Sequence, residues 1–163
     1  MTDPLAAFPL AVDVATTPRH YDEQGHLNNG AAVLLFNGLR RRYVQELLAL
    51  HGGAGLVAAG EVVGVRELAC RYESEARPGE DLRGGCRVLG RSRRSWLYDQ
   101  LLVTGERIVA RCRVIECVIR DGAAVEVPAA FWRIVEAAEG RTMGPGPLPG
   151  PRTDWEAATD RPT

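Results

Sequence analysis

The residue types best suited to chemistry are concentrated in one stretch, from Tyr21 to Gly30. It combines carboxylates, an imidazole, amides and glycines, and it leads directly into the apolar segment AAVLLF. A polar loop that begins a buried helix directs unpaired backbone N–H groups and the positive end of the helix dipole at one small volume. A carboxylate and an imidazole lie within a few residues of that volume. The stretch therefore favours a reaction in which negative charge develops on a substrate oxygen beside a general base.

The composition excludes several classes of function. The chain has 163 residues, which is enough for one domain with its own hydrophobic core. Its net charge of −1 provides no general attraction to nucleic acid or to an anionic membrane, so we expect neither as a partner. Every basic residue is an arginine, which excludes a Schiff-base lysine mechanism.

The cysteines and histidines lack the spacing of a metal site. Cys70, Cys86, Cys112 and Cys117 lie in apolar, strand-like runs without a CxxC pair, and the three histidines are scattered. We therefore predict buried reduced thiols, no metal and no cofactor. The first residues have no basic segment typical of a signal peptide, and no apolar run is long enough to span a bilayer. A cytoplasmic protein is expected.

One long helix must position the polar loop. The pattern predicts a strand over residues 8–16 and then a helix from about residue 30 to 51, ended by Gly52-Gly53. Apolar residues recur at four-residue spacing along one stripe of this helix, at Leu35, Leu39, Tyr43 and Leu47. Its first half is apolar all round, which predicts enclosure, whereas the half that begins at Arg40-Arg41-Arg42 is expected to emerge into solvent.

Beyond residue 61 the periodicity becomes that of strands, which are predicted at 61–76, 81–90, 95–104 and 107–120. The connections are short, including a hairpin at Gly105-Glu106, so neighbouring strands must be antiparallel. Alternation in the last strand predicts one face for Ile108, Ala110, Cys112, Val114 and Val118, and the other for Arg111 and Arg113. A short helix is predicted over residues 128–138.

These elements predict a single α+β domain over residues 1–139, with an antiparallel sheet of about five strands wrapped around one long central helix. Residues 140–163 are rich in proline and glycine and are expected to form a flexible tail. Because long strands at a sheet edge leave backbone groups unpaired, we expect pairing across a two-fold axis. A homodimer, or a dimer of dimers, is predicted.

The loop sequence DEQGHLNN, from Asp22 to Asn29, resembles the DxxGHxNN-type loop of the hotdog-fold acyl-CoA thioesterases, in the 4-hydroxybenzoyl-CoA thioesterase-like family. Residues 70–82 resemble the strand and turn that follow downstream in that family. The resemblance covers about residues 12–135. It implies a hotdog fold and hydrolysis of an acyl-CoA or acyl-carrier-protein thioester, without a cofactor.

The resemblance also implies a role for each loop residue. Asp22 aligns with the catalytic aspartate, which acts as a general base on water or as the nucleophile on the thioester carbon. The backbone N–H of Asn29 would polarise the thioester carbonyl, and Gly25 would allow the backbone to approach closely. His26 would orient Asp22 or the carbonyl, and Asn28 would contact substrate.

Each of these residues has a structural interpretation as well. An aspartate before a helix commonly caps a loop by accepting backbone N–H bonds, and asparagines such as Asn28 and Asn29 commonly begin helices. His26 is equally typical of a buried histidine whose hydrogen bond is satisfied by a neighbouring carbonyl. The residues alone leave these alternatives open.

Two departures and one arginine cluster concern substrate binding. Ala32 and Asn37 stand where many relatives have a tyrosine and an acidic residue, so Asp22 must act without a helix carboxylate, and Ala32 is predicted to enlarge the acyl pocket. Arg91, Arg93 and Arg94 lie between two strands, and guanidinium groups match phosphate geometry. They are the candidate contacts for the CoA phosphates, with a solvated turn as the alternative.

Thioester hydrolysis leads two other functions that this fold serves. A hotdog hydratase or dehydratase would need a DxxxxH-type element, which the sequence does not contain. A non-catalytic acyl-CoA-binding protein would use the same pocket as a sensor, and the chain contains no basic recognition helix through which a sensor would act on DNA.

Overall fold

The computed structural model describes residues 3–51 and 57–151, which form six strands, two α-helices and a short 3₁₀-helix at Pro18–His20. In chain order the elements are β1 (Leu10–Asp13), α1 (Asn29–His51), β2 (Glu61–Tyr72), β3 (Leu82–Arg91), β4 (Ser95–Thr104), β5 (Arg107–Arg120), β6 (Ala123–Val125) and α2 (Ala129–Glu139). The predicted combination of one long helix with an antiparallel sheet is confirmed. The predicted helix stop at Gly52-Gly53 lies outside the described residues.

The six strands form one antiparallel sheet in the order β1-β3-β4-β5-β2, with the short β6 paired to β5. The helix α1 packs on one face of this sheet, which we call the inner face, and the main hydrophobic core lies between them. Gly84 in β3 makes the close approach possible, because a Cβ atom there would lie 2.6 Å from a methyl carbon of Leu39. None of the described helices is long and apolar enough to cross a membrane.

The apolar stripe of α1 faces the sheet as predicted. Leu39 and Tyr43 are buried and Leu35 is half-buried, and the side chain of Leu47 lies outside the described residues. The buried Phe36 belongs to the same core. Because these side chains recur every three or four residues, one side of the helix contributes to the core along its length.

The predicted emergence of residues 40–42 into solvent is wrong for Arg40, which is only 4% exposed. Its Nε donates to Glu116 Oε1 at 2.8 Å, its Nη1 to Gln100 Oε1 at 3.0 Å and its Nη2 to Asn37 Oδ1 at 3.3 Å. A guanidinium can be buried when its donors and its charge are satisfied in this way. Arg41, by contrast, is exposed as predicted.

The predicted enclosure of the first half of α1 is wrong for the single chain. Leu34 is 67% exposed, and Asn37 and Gly38 are also exposed. The helix lies over the middle of the sheet, and the inner face of β2 is left uncovered beside it, where Val65 is 53% and Tyr72 43% exposed. We call the exposed apolar residues of this face, Val63, Val65, Leu68 and Tyr72, the apolar edge patch.

One residue of β5 departs from the predicted alternation. The pairing with β4 shifts between Leu102 and Val103, so that Val109 is an extra residue on β5. Val109 packs in the main core, and Ile108 packs instead against the cluster on the other side of the sheet. A bulge reverses the side of every residue that precedes it, which explains why the prediction for Ile108 was wrong.

Segments before β1 and after α2 also contact the sheet. Leu5 and Phe8 pack on Leu101 and Val103. Beyond α2, the chain returns to the end of β3, where Gly146 N donates to Arg91 O at 2.9 Å. Residues 140–151 of the predicted flexible tail are therefore in contact with the domain.

Candidate functional site

The polar loop before α1 is a closed turn organised by Asp22. Its Oδ1 accepts hydrogen bonds from the backbone N–H groups of Gln24 and His26, both at 2.9 Å, and its own N–H donates to His26 O at 2.9 Å. Gly25 has a φ of +75°, which favours glycine at this position. Asp22 is exposed, and its Oδ2 accepts no hydrogen bond from the described residues. One carboxylate oxygen therefore caps the loop and the other faces solvent.

Asn28 is the residue that begins the helix. Its Oδ1 accepts hydrogen bonds from Gly30 N at 2.8 Å and from Ala31 N at 3.4 Å, as expected of an N-cap. Its own N–H donates to His20 O at 2.8 Å. The N–H of Asn29, the first residue of α1, meets no acceptor within the part of the chain that the structure describes. This donor is therefore available to a ligand at the positive end of the helix dipole.

A cavity of about 250 Å³ opens beside this helix end. It is lined by His26, Leu27, Asn29, Tyr72, Glu73, Ser74, Glu75, Ala76 and Val109. The loop, the helix start and the end of β2 therefore meet at one place. Asp22 is not part of the lining, and it adjoins the cavity through the backbone of His26.

A carboxylate that the sequence analysis did not single out lies beside His26. Glu75 Oε2 is 3.4 Å from His26 Nε2 and 3.1 Å from Arg77 Nη2. The side chains of His26 and Glu75 are 28% and 57% exposed, so solvent reaches the pair. Glu75 is therefore placed to orient the imidazole of His26.

Tyr72 is a second lining residue that the analysis did not identify. Its hydroxyl donates to Asn29 O at 3.2 Å and so joins the end of β2 to the first turn of α1. Burial, followed by the neighbouring thiols of Cys70 and Cys112, raises the pKa of Tyr72, which keeps the hydroxyl a donor. Both Tyr72 and Glu75 lie in the segment 70–82 that resembles the family's second motif, and that segment was the available signal.

The other predicted substrate contacts lie elsewhere. Ala32 is fully buried in the core and does not line the cavity. The arginine turn, residues 91–94, lies at the opposite end of the sheet. Its neighbour Ser95 pairs with Cys117, whereas the cavity is bordered by Val109. Val109 and Cys117 are eight residues apart on β5, so at about 3.3 Å per residue the cavity and the arginine turn are separated by about 26 Å.

The three arginines of this turn differ in their surroundings. Arg91 Nε donates to Met143 O at 2.6 Å, and its guanidinium lies 4.8 Å from the centre of the Trp132 ring. Arg93 and Arg94 are exposed, and Arg93 lies 3.3 Å from Glu126. Arg91 is therefore held by Met143 and Trp132, whereas the exposed Arg93 and Arg94 can reach a ligand.

Family membership follows from the sequence of the domain that carries this site. Residues 16–135 match the thioesterase-like superfamily. The chain belongs to this superfamily. The match contains the whole loop, α1 and the five strands from β2 to β6, so the cavity of this thioesterase-like domain is built entirely from residues within it.

Solved structures share the fold of this thioesterase-like chain at low sequence identity. A Thermus thermophilus thioesterase, solved with coenzyme A and Zn, is 23% identical, and the match covers 85% of this chain and 99% of that one, with a TM-score of 0.72. YbaW, a probable thioesterase from Escherichia coli, is 14% identical, with coverage of 78% and 96% and a TM-score of 0.67. A DHNA-CoA thioesterase from Staphylococcus aureus is 13% identical, with coverage of 78% and 87% and a TM-score of 0.65.

These likenesses confirm the predicted hotdog fold.

A search of curated proteins found no significant match to the sequence. Among residues 3–51 and 57–151, no three His, Cys, Asp or Glu side chains are grouped so that they could hold a metal ion.

Proposed function

We propose that the chain hydrolyses an acyl-CoA or acyl-carrier-protein thioester to a free acid and a thiol. The observation that carries the proposal is the unpaired N–H of Asn29, which lines a cavity beside His26 at the start of the longest helix. A donor held at that point can bind the oxygen of a thioester carbonyl and stabilise it further as negative charge develops. Membership of the thioesterase-like superfamily supports the same chemistry.

In the proposed mechanism the loop supplies both the base and the polarising donor. The carbonyl oxygen accepts the Asn29 N–H. As a base, Oδ2 of Asp22 takes a proton from water while the water oxygen attacks the thioester carbon, and when the C–S bond breaks this proton passes to the leaving thiolate. As a nucleophile, Oδ2 attacks the carbon itself, the thiolate leaves, and water then hydrolyses the mixed anhydride to the free acid and the Asp22 carboxylate. Capping through Oδ1 holds this carboxylate at a fixed place beside the backbone of His26. His26, paired with Glu75, orients the carbonyl or the attacking group.

We further propose that two copies pair through β2 as a homodimer. This strand has twelve residues and forms one edge of the sheet, so its outer N–H and C=O groups have no partner strand among residues 3–51 and 57–151. The apolar edge patch lies on the inner face of this strand, where Val65 is 53% exposed, and Leu34 of α1 is 67% exposed. Antiparallel pairing of the two β2 strands would complete the backbone hydrogen bonds and cover the patch.

Such a pairing supplies a role for the arginine turn. The turn lies at the Glu61 end of β2, because Ser95 and Gly64 both pair with Cys117, whereas the cavity lies at the Tyr72 end. Across a two-fold axis, the Glu61 end of one copy adjoins the Tyr72 end of the other. The proposal therefore gives Arg93 and Arg94 of one copy to the CoA phosphates of a substrate bound by the other.

The experiment that tests the function is thiol release from a panel of aromatic, short branched and long aliphatic acyl-CoAs, with the matching acyl-carrier proteins. Turnover of at least one thioester is expected, and the preferred acyl group identifies the substrate class. Binding of an acyl-CoA without turnover of any thioester would contradict hydrolysis and favour the acyl-CoA-binding alternative.

A mixing experiment tests whether the site is shared between copies. The Asp22→Asn protein and the Arg93→Ala/Arg94→Ala protein are each assayed at low acyl-CoA concentration and then after co-refolding. If the two groups come from different copies, every mixed dimer contains one intact site, and activity rises above the average of the two proteins. If activity stays at that average, both groups belong to the same copy and the shared site is wrong. Arg41→Ala in place of the arginine pair is the control for loss of exposed charge.

A further inference from the structure

Two cysteines face each other across neighbouring strands of the inner face. Cys70 of β2 is paired directly with Cys112 of β5, and their Sγ atoms are 2.9 Å apart. Residues directly opposed in an antiparallel pair have Cα atoms about 4.5–5.5 Å apart, which lies within the range that disulfides span. A bond between the two sulfurs therefore requires only a small movement of the side chains.

The thiols of Cys70 and Cys112 differ in burial and in pKa. Cys70 is half-buried and Cys112 is buried. The hydrogen bond between Cys70 and Cys112, and then the Arg40 guanidinium, lower the pKa of Cys70 against the effect of burial. The same contact and burial raise the pKa of Cys112. Since the thiolate is the nucleophile, Cys70 is the attacking group and Cys112 the thiol that reacts second.

Cys70 is half-buried and lies near the cavity at the start of α1. Cys70 lies on the same face of β2 as Tyr72, two residues away, and Tyr72 lines the cavity at the start of α1. The remaining two cysteines differ in this respect. Cys86 is fully buried in the main core, and Cys117 is directed to the opposite side of β5, with its Sγ 3.9 Å from Gly64 O. Their placement makes them matched controls.

We propose that Cys70 and Cys112 form a reversible redox site that exchanges with low-molecular-weight disulfides. The Cys70 thiolate attacks one sulfur of the small disulfide, forms a mixed disulfide and releases the first small thiolate. Cys112 then loses its proton and attacks the Cys70 sulfur, which forms the cross-strand bond and releases the second small thiolate. The protein loses two hydrogens and two electrons, and the small disulfide becomes two thiols. This proposal is independent of thioester hydrolysis.

The test is intact mass spectrometry of the folded protein after incubation with bis(hydroxyethyl) disulfide, followed by peptide mapping. The wild type is expected to lose the mass of two hydrogens through a Cys70–Cys112 bond, and dithiothreitol is expected to restore it. Cys112→Ser should instead retain the hydroxyethylthio adduct on Cys70. Cys86→Ser and Cys117→Ser should behave as the wild type does.

A second readout reports on the folded state. Closing a loop of this length should raise the unfolding temperature of the oxidised wild type by about 5 °C or more, with no rise in Cys70→Ser. Four free thiols after incubation, a stable adduct on wild-type Cys70 without ring closure, or a bond that involves Cys86 or Cys117 would each overturn the proposal.

Discussion

Leu34 and Arg40 lie less than two turns apart on α1, and each is found where the other residue type is expected. Leu34 is 67% exposed, whereas Arg40 is 4% exposed. Arg40 can be buried because Glu116 supplies a charge and Gln100 and Asn37 supply acceptors. Leu34 meets none of the described residues closely enough to be buried, and the proposed second copy would cover it. The comparison shows that burial along this helix is decided by what each side chain meets, and hydropathy alone does not determine it.

The largest expected effect is the loss of stability when the buried Arg40 loses its countercharge. Glu116→Ala removes the carboxylate and leaves the Arg40 guanidinium buried without its countercharge, which should lower the free energy of unfolding by about 3–5 kcal/mol. Urea denaturation measures this change. The double variant Arg40→Met/Glu116→Leu should recover most of the loss, because no buried charge remains. A loss below about 1 kcal/mol for Glu116→Ala would show that Arg40 does not depend on this partner.

The exposure of Leu34 predicts that a charge at this position changes the oligomeric state. Leu34→Asp places a charge on an exposed apolar position that the proposed second copy would cover. The change should convert the proposed homodimer to a monomer, measured by sedimentation velocity. Leu50→Asp is the matched control, since Leu50 is 77% exposed and lies about 160° around the helix from Leu34. A dimer that persists in Leu34→Asp would place the interface elsewhere.

A smaller effect concerns pH. Burial raises the pKa of Glu116 above its ordinary value of 4.5, and the Arg40 guanidinium offsets part of this effect. An acid whose pKa is raised on folding stabilises the folded state below the unfolded pKa and loses that contribution as the pH rises through the folded pKa. The unfolding temperature of the wild type should therefore fall relative to that of Glu116→Gln as the pH rises above the ordinary carboxyl pKa of 4.5. A constant difference, or one of opposite sign, would contradict the shift.

The smallest effect is expected next to Arg40 in sequence. Arg41 is exposed, so Arg41→Ala should change the free energy of unfolding by no more than about 0.5 kcal/mol. Urea denaturation beside Glu116→Ala makes the comparison direct. A loss of free energy of unfolding in Arg41→Ala as large as that in Glu116→Ala would contradict this account. It would show that the burial of Arg40 does not distinguish the two arginines.

The main elements were predictable because each has a local cause. Alternating residues and glycine turns identified β2 to β5, and the four-residue stripe identified α1. The errors arose where distant residues decide the outcome: Glu116 is far from Arg40 in sequence, and the bulge at Val109 depends on the pairing with β4. In the site, the loop and the helix start were predictable from local caps and glycines. Tyr72 and Glu75 were missed because only the fold brings β2 to the loop.

The central claim, that the loop before α1 hydrolyses a thioester, is tested most directly by the hydrolysis rate of Asp22→Asn on the preferred acyl-CoA. The amide oxygen can still accept the N–H groups of Gln24 and His26, so the loop should fold and acyl-CoA binding should be retained. Glu23→Gln removes the same charge from the next residue and serves as the control. We predict a fall in kcat of at least about 10²-fold for Asp22→Asn and a near wild-type rate for Glu23→Gln. A near wild-type rate for Asp22→Asn would contradict the account.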